Sequence, residues 1–221
     1  MKKIFFLLMV FPFFVHAQYT TNANARKGWY GSIGIGYGSY KLDIYNYAGG
    51  SDFYADQKLS SPVIWLGMDK KSIWQANNFV IDAGGELVGG FGVKNKITSS
   101  GLISEKIKGG WSIGIHALAK AGYLLGNEKM SIVPLVGLGP YYIDVVSGSG
   151  DNSGGNQIYG LQGYFGIDFQ AGRFVITPQI HFGLASWGYS NVWIGANADS
   201  NVQNGQPGMF EGGVKVAVSL F

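Results

Sequence analysis

Eight ionisable side chains stand where paired charge or proton chemistry could occur: Asp82, Glu86, His116, Lys120, Asp168, His181, Glu211 and Lys215. Each falls on the polar side of a segment that alternates apolar and polar residues. If that side is enclosed, the charges must pair, because a lone buried charge is expensive. Glu86 and Lys120 are expected to pair across neighbouring strands, and Glu211 lies near Lys215 on the last one. A nucleophilic site would need serine, histidine and acid within hydrogen-bonding reach. Ser112 and His116 share a face but stand four residues apart, ~13 Å along a strand. His181 and Ser186 fall on opposite faces. Neither constellation is therefore assigned a catalytic role, and no enzymatic activity is expected. A metal site would rest on His116 and His181 with carboxylates, but their spacing matches no ligand motif. Asp151, Asn152 and Asp199 could offer oxygen to Ca²⁺, in no recognised loop spacing, and read as solvated. No cofactor or metal is expected.

What would position these residues is a period of two. Trp29, Ile33, Ile35 and Tyr37 alternate with Ser32, Gly34, Gly36 and Gly38, and a strand sends successive side chains to opposite faces. Phe79, Ile81, Ala83, Leu87, Phe91 and Val93 oppose Asp82, Gly84, Glu86, Gly90 and Gly92. The same pattern places Trp111, Ile113, Ile115 and Tyr123 opposite Ser112, His116 and Lys120. It recurs over 159–171, 173–186 and 211–220. Two less regular strands, 62–71 and 131–146, bring the number to eight. Short connections near 70–78, 126–129 and 171–173 alternate with long polar ones over 46–58, 94–109, 147–157 and 188–206. Pro134, Pro140 and Pro178 each remove a ladder donor and are expected to mark bulges or strand ends.

The 221 residues include 36 glycines and are 15% aromatic but only 13% charged, against ~25% charged in an ordinary soluble domain. That composition excludes disorder. With 16 Lys+Arg against 13 Asp+Glu and no basic cluster, it also gives no footprint for nucleic acid. Lys2 and Lys3, the apolar run Ile4–Val15 and the sequence Val15-His16-Ala17-Gln18 have the layout of a secretory signal peptide. Residues 1–17 are thus expected to be removed, leaving 14 Lys+Arg against 13 Asp+Glu. Residues 18–27 form a short lead-in, and 28–221 read as one β domain. No cysteine is present, so no disulfide framework is available. Nowhere do 18 consecutive apolar residues suggest a helical span.

Two features decide which face meets the solvent. Phe79 and Phe91, Trp111 and Tyr123, and Tyr159 and Phe169 are same-face aromatic pairs separated by 12, 12 and 10 residues. On a strand tilted by ~40°, twelve residues rise ~30 Å, which suits two interfacial girdles around an apolar band of ~25 Å. The opposite face is mostly Gly, Ser and Gln, which fits the narrow interior of a small barrel better than a soluble surface. The apolar face is expected to meet lipid, and the eight polar-face ionisable residues to line the lumen.

With its export signal, eight strands, alternating short and long connections and terminal Leu220-Phe221, the chain resembles the OmpA/OmpX-type small outer-membrane β-barrels, a porin-like superfamily. The resemblance covers residues ~28–221 and implies an all-β, eight-stranded antiparallel up-and-down transmembrane β-barrel in the outer membrane of a Gram-negative bacterium. Its implied partners are outer-membrane lipids and the assembly machinery, which reads a terminal aromatic; Ser219 departs from the usual apolar residue two from the end. A structural or adhesin-like role is expected from a monomer, its long extracellular loops meeting a host or envelope ligand. The alternatives are a small barrel enzyme acting on lipid A, or a soluble ligand-binding β-barrel with the opposite orientation.

Overall fold

The computed structural model describes residues 26–46, 53–99, 104–126, 129–149, 152–194, 200–204 and 208–220. The expected signal segment 1–17, most of the lead-in, Asp151, Asp199 and the terminal Phe221 lie outside the described residues. The strands are β1 (Gly28–Asn46), β2 (Phe53–Ala76), β3 (Phe79–Phe91), β4 (Lys94–Ser99), β5 (Ser104–Lys108) and β6 (Gly110–Tyr123). They continue as β7 (Leu125–Gly126), β8 (Met130–Ser149), β9 (Asn152–Ala171), β10 (Phe174–Ile194), β11 (Ser200–Asn204) and β12 (Gly208–Ser219). All pairings are antiparallel. Eight of the strands form the wall in the order β1, β2, β3, β6, β8, β9, β10, β12, and β12 pairs back onto β1. The shorter strands extend this wall at its two ends. No described helix is long and apolar enough to cross a membrane, which says nothing about strands.

The closed ring has a definite slant. Register partners run from Ile35 through Ile64, Gly89, Ile113, Asp144, Gln157, Tyr189 and Gln203 and return to β1 at Tyr45. The return point lies ten residues beyond the start. At ~3.3 Å per residue and ~4.8 Å between strands, that offset tilts the wall by about 40°, the slope the girdle spacing required. Closure also removes sheet edges, which lipid cannot tolerate because nothing there satisfies free backbone groups.

Side-chain direction follows the predicted period, with local interruptions. Gly92 adopts φ +63° between β3 and β4, a left-handed turn that suits glycine and shifts the parity of the residues beyond it. Val93, expected on the outer face with Phe91, is consequently fully buried inside. A register shift between Lys70 and Trp74 on β2 accompanies positive φ at Ser72 and keeps both Lys71 and Ser72 buried. Another shift lies between Gly183 and Ala185.

The three prolines that a closed wall has no edge to hide are handled by one-sided gaps. Pro134, Pro140 and Pro178 keep their register partners Ile167, Leu161 and Val214 on one side. On the other side the ladders skip them. β6–β8 pairing breaks between His116–Tyr141 and Ala119–Leu138 and ends at Gly122–Leu135, while β9–β10 pairing jumps from Ile176–Phe169 to Gln179–Gly166. Each proline loses its donor toward a single neighbour, and the strand runs on.

A charge-filled lumen as the candidate functional site

The apolar face is the outer one. Ile35, Leu66, Leu87, Ile113, Val136, Phe182 and Val216 are all exposed on the wall. All six interface aromatics face outward, at two levels. Phe79 is the register partner of Tyr123 and meets its ring edge-on at 5.1 Å; at the other level Phe91 is the partner of Trp111. Tyr159 stacks on Trp187 at 6.5 Å on that second level, and Phe169 returns to the first, next to Ile176 on β10. Leu220 is exposed at the end of β12.

The eight ionisable residues singled out by alternation are all buried inside, where they meet cations and anions that alternation did not isolate. At the β-hairpin end of the lumen, Arg26 reaches in from just before β1 and pairs with Asp82 and, at 2.7 Å, with Asp168. Lys71 Nζ lies 2.5 Å from Asp168, whose other oxygen accepts from the Thr177 hydroxyl at 2.7 Å. The Ser72 backbone N–H donates to Asp82 at 2.7 Å. These contacts close that end with two carboxylates held by two cations.

One layer further in, Asp69 accepts from both Lys120 (2.8 Å) and Lys215 (3.2 Å), and Lys215 also binds Glu86 at 2.5 Å. The expected pairing is thereby redistributed. Lys120 goes to Asp69 rather than Glu86, although Lys120 and Asp82 are register partners. Lys215 crosses the lumen to Glu86 and Asp69 instead of meeting Glu211 on its own strand. The physical reason is lumen width: in a barrel this narrow, long lysine side chains reach past one or two intervening strands as readily as to groups beside them.

Above that layer the histidines meet. His116 and His181 lie 4.9 Å apart by ring centroid, beside Glu86. Trp65 stacks on His181 at 6.0 Å, and the Tyr164 ring lies edge-on to it at 5.1 Å. Glu211 accepts from the Tyr40 hydroxyl at 2.6 Å and the Trp65 indole N–H at 2.9 Å. Trp65 fits only because glycines face it: a Cβ on Gly36 would lie 2.1 Å from its ring, and one on Gly213 2.8 Å. The far end is filled by an apolar cluster that includes Tyr40, Leu42, Leu59, Val93, Ile143 and Ile158.

Asp69, Lys71, Arg26, Trp65 and Tyr40 are therefore part of the lumen although alternation did not mark them. On β2 the run Val63-Ile64-Trp65-Leu66 is apolar on both faces, which hides the period. Counting parity forward from the buried Gln57 and Ser61 would have placed Asp69 and Lys71 inward. Arg26 sits before the strand and carries no periodic signal at all. Of the hydroxyls weighed as nucleophiles, Ser186 accepts from the Tyr141 hydroxyl at 2.6 Å, and Ser112 is buried.

No protein-family model and no curated protein matches the chain. Among solved structures, the outer membrane protein OprG from Pseudomonas aeruginosa superposes with a TM-score of 0.54 at 15% identity, covering 88% of this chain and 97% of that one. The fold is that of a small outer-membrane β-barrel. Ail, the attachment invasion locus protein of Yersinia pestis, aligns at 15% identity over 86% of this chain and 99% of its own, with a TM-score of 0.35. Neisserial surface protein A aligns at 11% identity over 88% and 98%, with a TM-score of 0.31. The outer wall of this chain is apolar, and its filled interior pairs its own charges.

Proposed function

We propose that this chain is an integral protein of the outer membrane of a Gram-negative bacterium, exported by residues 1–17. Its closed barrel is an anchor for a surface-interaction, adhesin-like module. The observation that carries the reading is the combination of an apolar outer wall with a lumen filled by ion pairs and a packed apolar end. Such a barrel is built to stay in a membrane, not to pass solutes. Its paired strands run well beyond the second aromatic level: β1 pairs with β2 as far as Asn46–Phe53, and β8 with β9 as far as Ser149–Asn152. These hairpins take up most of the stretches 46–58 and 147–157 expected as long connections, and hold the short remainders, 47–52 and 150–151, away from the bilayer as stiff supports.

A row of lysines supports the lipid partner. Lys41, Lys58 and Lys96 are successive register partners across three strands, and Lys41 also lies 3.9 Å from Asp56. Like charges directly opposite one another repel, and anionic headgroups of the outer leaflet would relieve that repulsion through charge-assisted hydrogen bonds.

The test combines fractionation with binding. The chain should appear in the outer-membrane fraction and migrate heat-modifiably on unboiled gels. Replacing the connections at 47–52 and 195–199 with short turns should preserve that migration while abolishing attachment of expressing cells to host cells or envelope material. Recovery in the soluble periplasm would overturn the membrane assignment, and undiminished attachment would overturn the role of the connections.

A further inference from the structure

Glu86, His116 and His181 come from β3, β6 and β10, so they converge from opposite sides of the lumen. One oxygen or nitrogen from each lies within 4.8 Å of the other two, and all three residues are buried. Glu86 Oε2 is 3.5 Å from His181 Nε2 and 3.9 Å from His116 Nδ1. We propose that these three side chains form a binding site for a divalent d-block cation of the Zn²⁺ class, held inside the barrel.

Hydrogen bonding leaves these atoms free to bind it. His181 Nδ1 lies 3.1 Å from Gln162 Oε1. An amide oxygen only accepts, so the imidazole proton resides on Nδ1 and Nε2 presents a lone pair. That lone pair faces Glu86 Oε2, another acceptor. Glu86 Oε2, His181 Nε2 and both His116 nitrogens are buried and make no hydrogen bond. Acceptors turned on one another in a dry interior are relieved by a cation or a proton placed between them. Lys215 does not supply it, because its ammonium engages the other oxygen of Glu86.

The geometry suits a metal. Ligand atoms ~2.0–2.2 Å from Zn²⁺ in a tetrahedral arrangement stand ~3.4 Å apart, so the two Glu86 edges contract by ~0.1 and ~0.5 Å and the histidine–histidine edge, within 4.8 Å, closes by up to ~1.4 Å as the rings turn onto the metal. Imidazole and carboxylate together are a common donor set for a three-ligand zinc site, with the fourth position left to water. The outer shell also fits, since a ligating histidine usually turns its other nitrogen to a carboxylate or carbonyl. Gln162 takes that place for His181. Glu211 Oε2 lies 3.9 Å from His116 Nε2 and is itself fixed by Tyr40 and Trp65. Among the described residues, five buried carboxylates (Asp69, Asp82, Glu86, Asp168, Glu211) face four buried cations (Arg26, Lys71, Lys120, Lys215), so an added cation meets an excess of negative charge.

Because packed side chains close the lumen on both sides of the site, the metal would be captured as the barrel closes and would join opposite walls. The experiment refolds the chain from urea into detergent with Co²⁺ or Zn²⁺ present, then removes free metal with chelator. One metal per folded chain should remain, released on unfolding, and the Co²⁺ form should show the visible absorption of a tetrahedral site. His181→Gln and Glu86→Gln, checked for folding by heat-modifiable migration, should lose it. Glu211→Gln should retain it with 10- to 100-fold weaker affinity, the usual effect of an outer-shell partner. Folded wild-type chain that keeps no metal would overturn the proposal, and so would equal retention by His181→Gln. The wild-type result decides the matter even if the variants fail to fold.

Discussion

At the residue scale, the lumen is governed by how many partners each charge commands. Asp69 is the acceptor shared by Lys120 and Lys215, so Asp69→Asn takes the carboxylate from Lys120 and leaves Lys215 with Glu86 alone. Removing one partner of a buried pair costs about 3–5 kcal/mol, and urea unfolding in detergent should register a loss of that size. A double-mutant cycle makes the point sharper. Asp69→Ala with Lys120→Met should show strong coupling, whereas Glu86→Gln with Lys120→Met should be close to additive. Strong coupling in the second cycle would restore the pair expected from strand adjacency. Trp65 supplies a steric counterpart. Gly36→Ala would drive a methyl to within 2.1 Å of the indole and 2.4 Å of the Gly212 carbonyl, and overpacking of this kind costs about 1–3 kcal/mol. Tryptophan fluorescence should shift along with stability; an unchanged spectrum and melt would show that the ring has room to move.

At the element scale, the strands survive their prolines because each forfeits a ladder bond toward one neighbour only. Pro140→Ala and Pro178→Ala should therefore change stability by less than about 1 kcal/mol, the range of backbone-entropy effects. Val216→Pro is the contrasting case. Val216 pairs with Ile33 on one side and Ile176 on the other, in ladders with no gap, and losing a bond there should cost about 1–3 kcal/mol. Equal costs for all three substitutions, measured by equilibrium unfolding, would mean that the gaps do not protect the wall.

At the scale of the whole molecule, the question is whether anything passes through. Eight strands leave an interior that side chains just fill, and here ion pairs, Trp65 and an apolar cluster occupy it in succession. In planar lipid bilayers the purified chain should give no steady ohmic conductance at neutral pH. Reproducible single-channel steps would show that the packed end opens and would redirect the functional reading toward transport. The exposed outer wall makes a second demand: with its apolar residues in contact with water, the chain should be soluble only with detergent or lipid.

The alternation of residue types settled much in advance, because a strand in a closed wall has only two sides and all eight ionisable residues of the polar face take the inner one. That reasoning alone separates Asp82, Glu86, His116, Lys120, Asp168, His181, Glu211 and Lys215 from the aromatics Phe79, Phe91, Trp111, Tyr123, Tyr159 and Phe169. It failed at Val93, where a left-handed glycine reversed the parity, and along β2, where Trp65 is apolar yet internal. What alternation could not supply is who meets whom across the lumen. Partner choice there depends on the ten-residue slant of the ring, which sets the heights of β3, β6 and β10 against one another. Only once that slant is fixed do Lys120 and Lys215 converge on Asp69, and Glu86, His116 and His181 on a single point. Period two is a local property of the chain; the meeting of opposite walls belongs to closure.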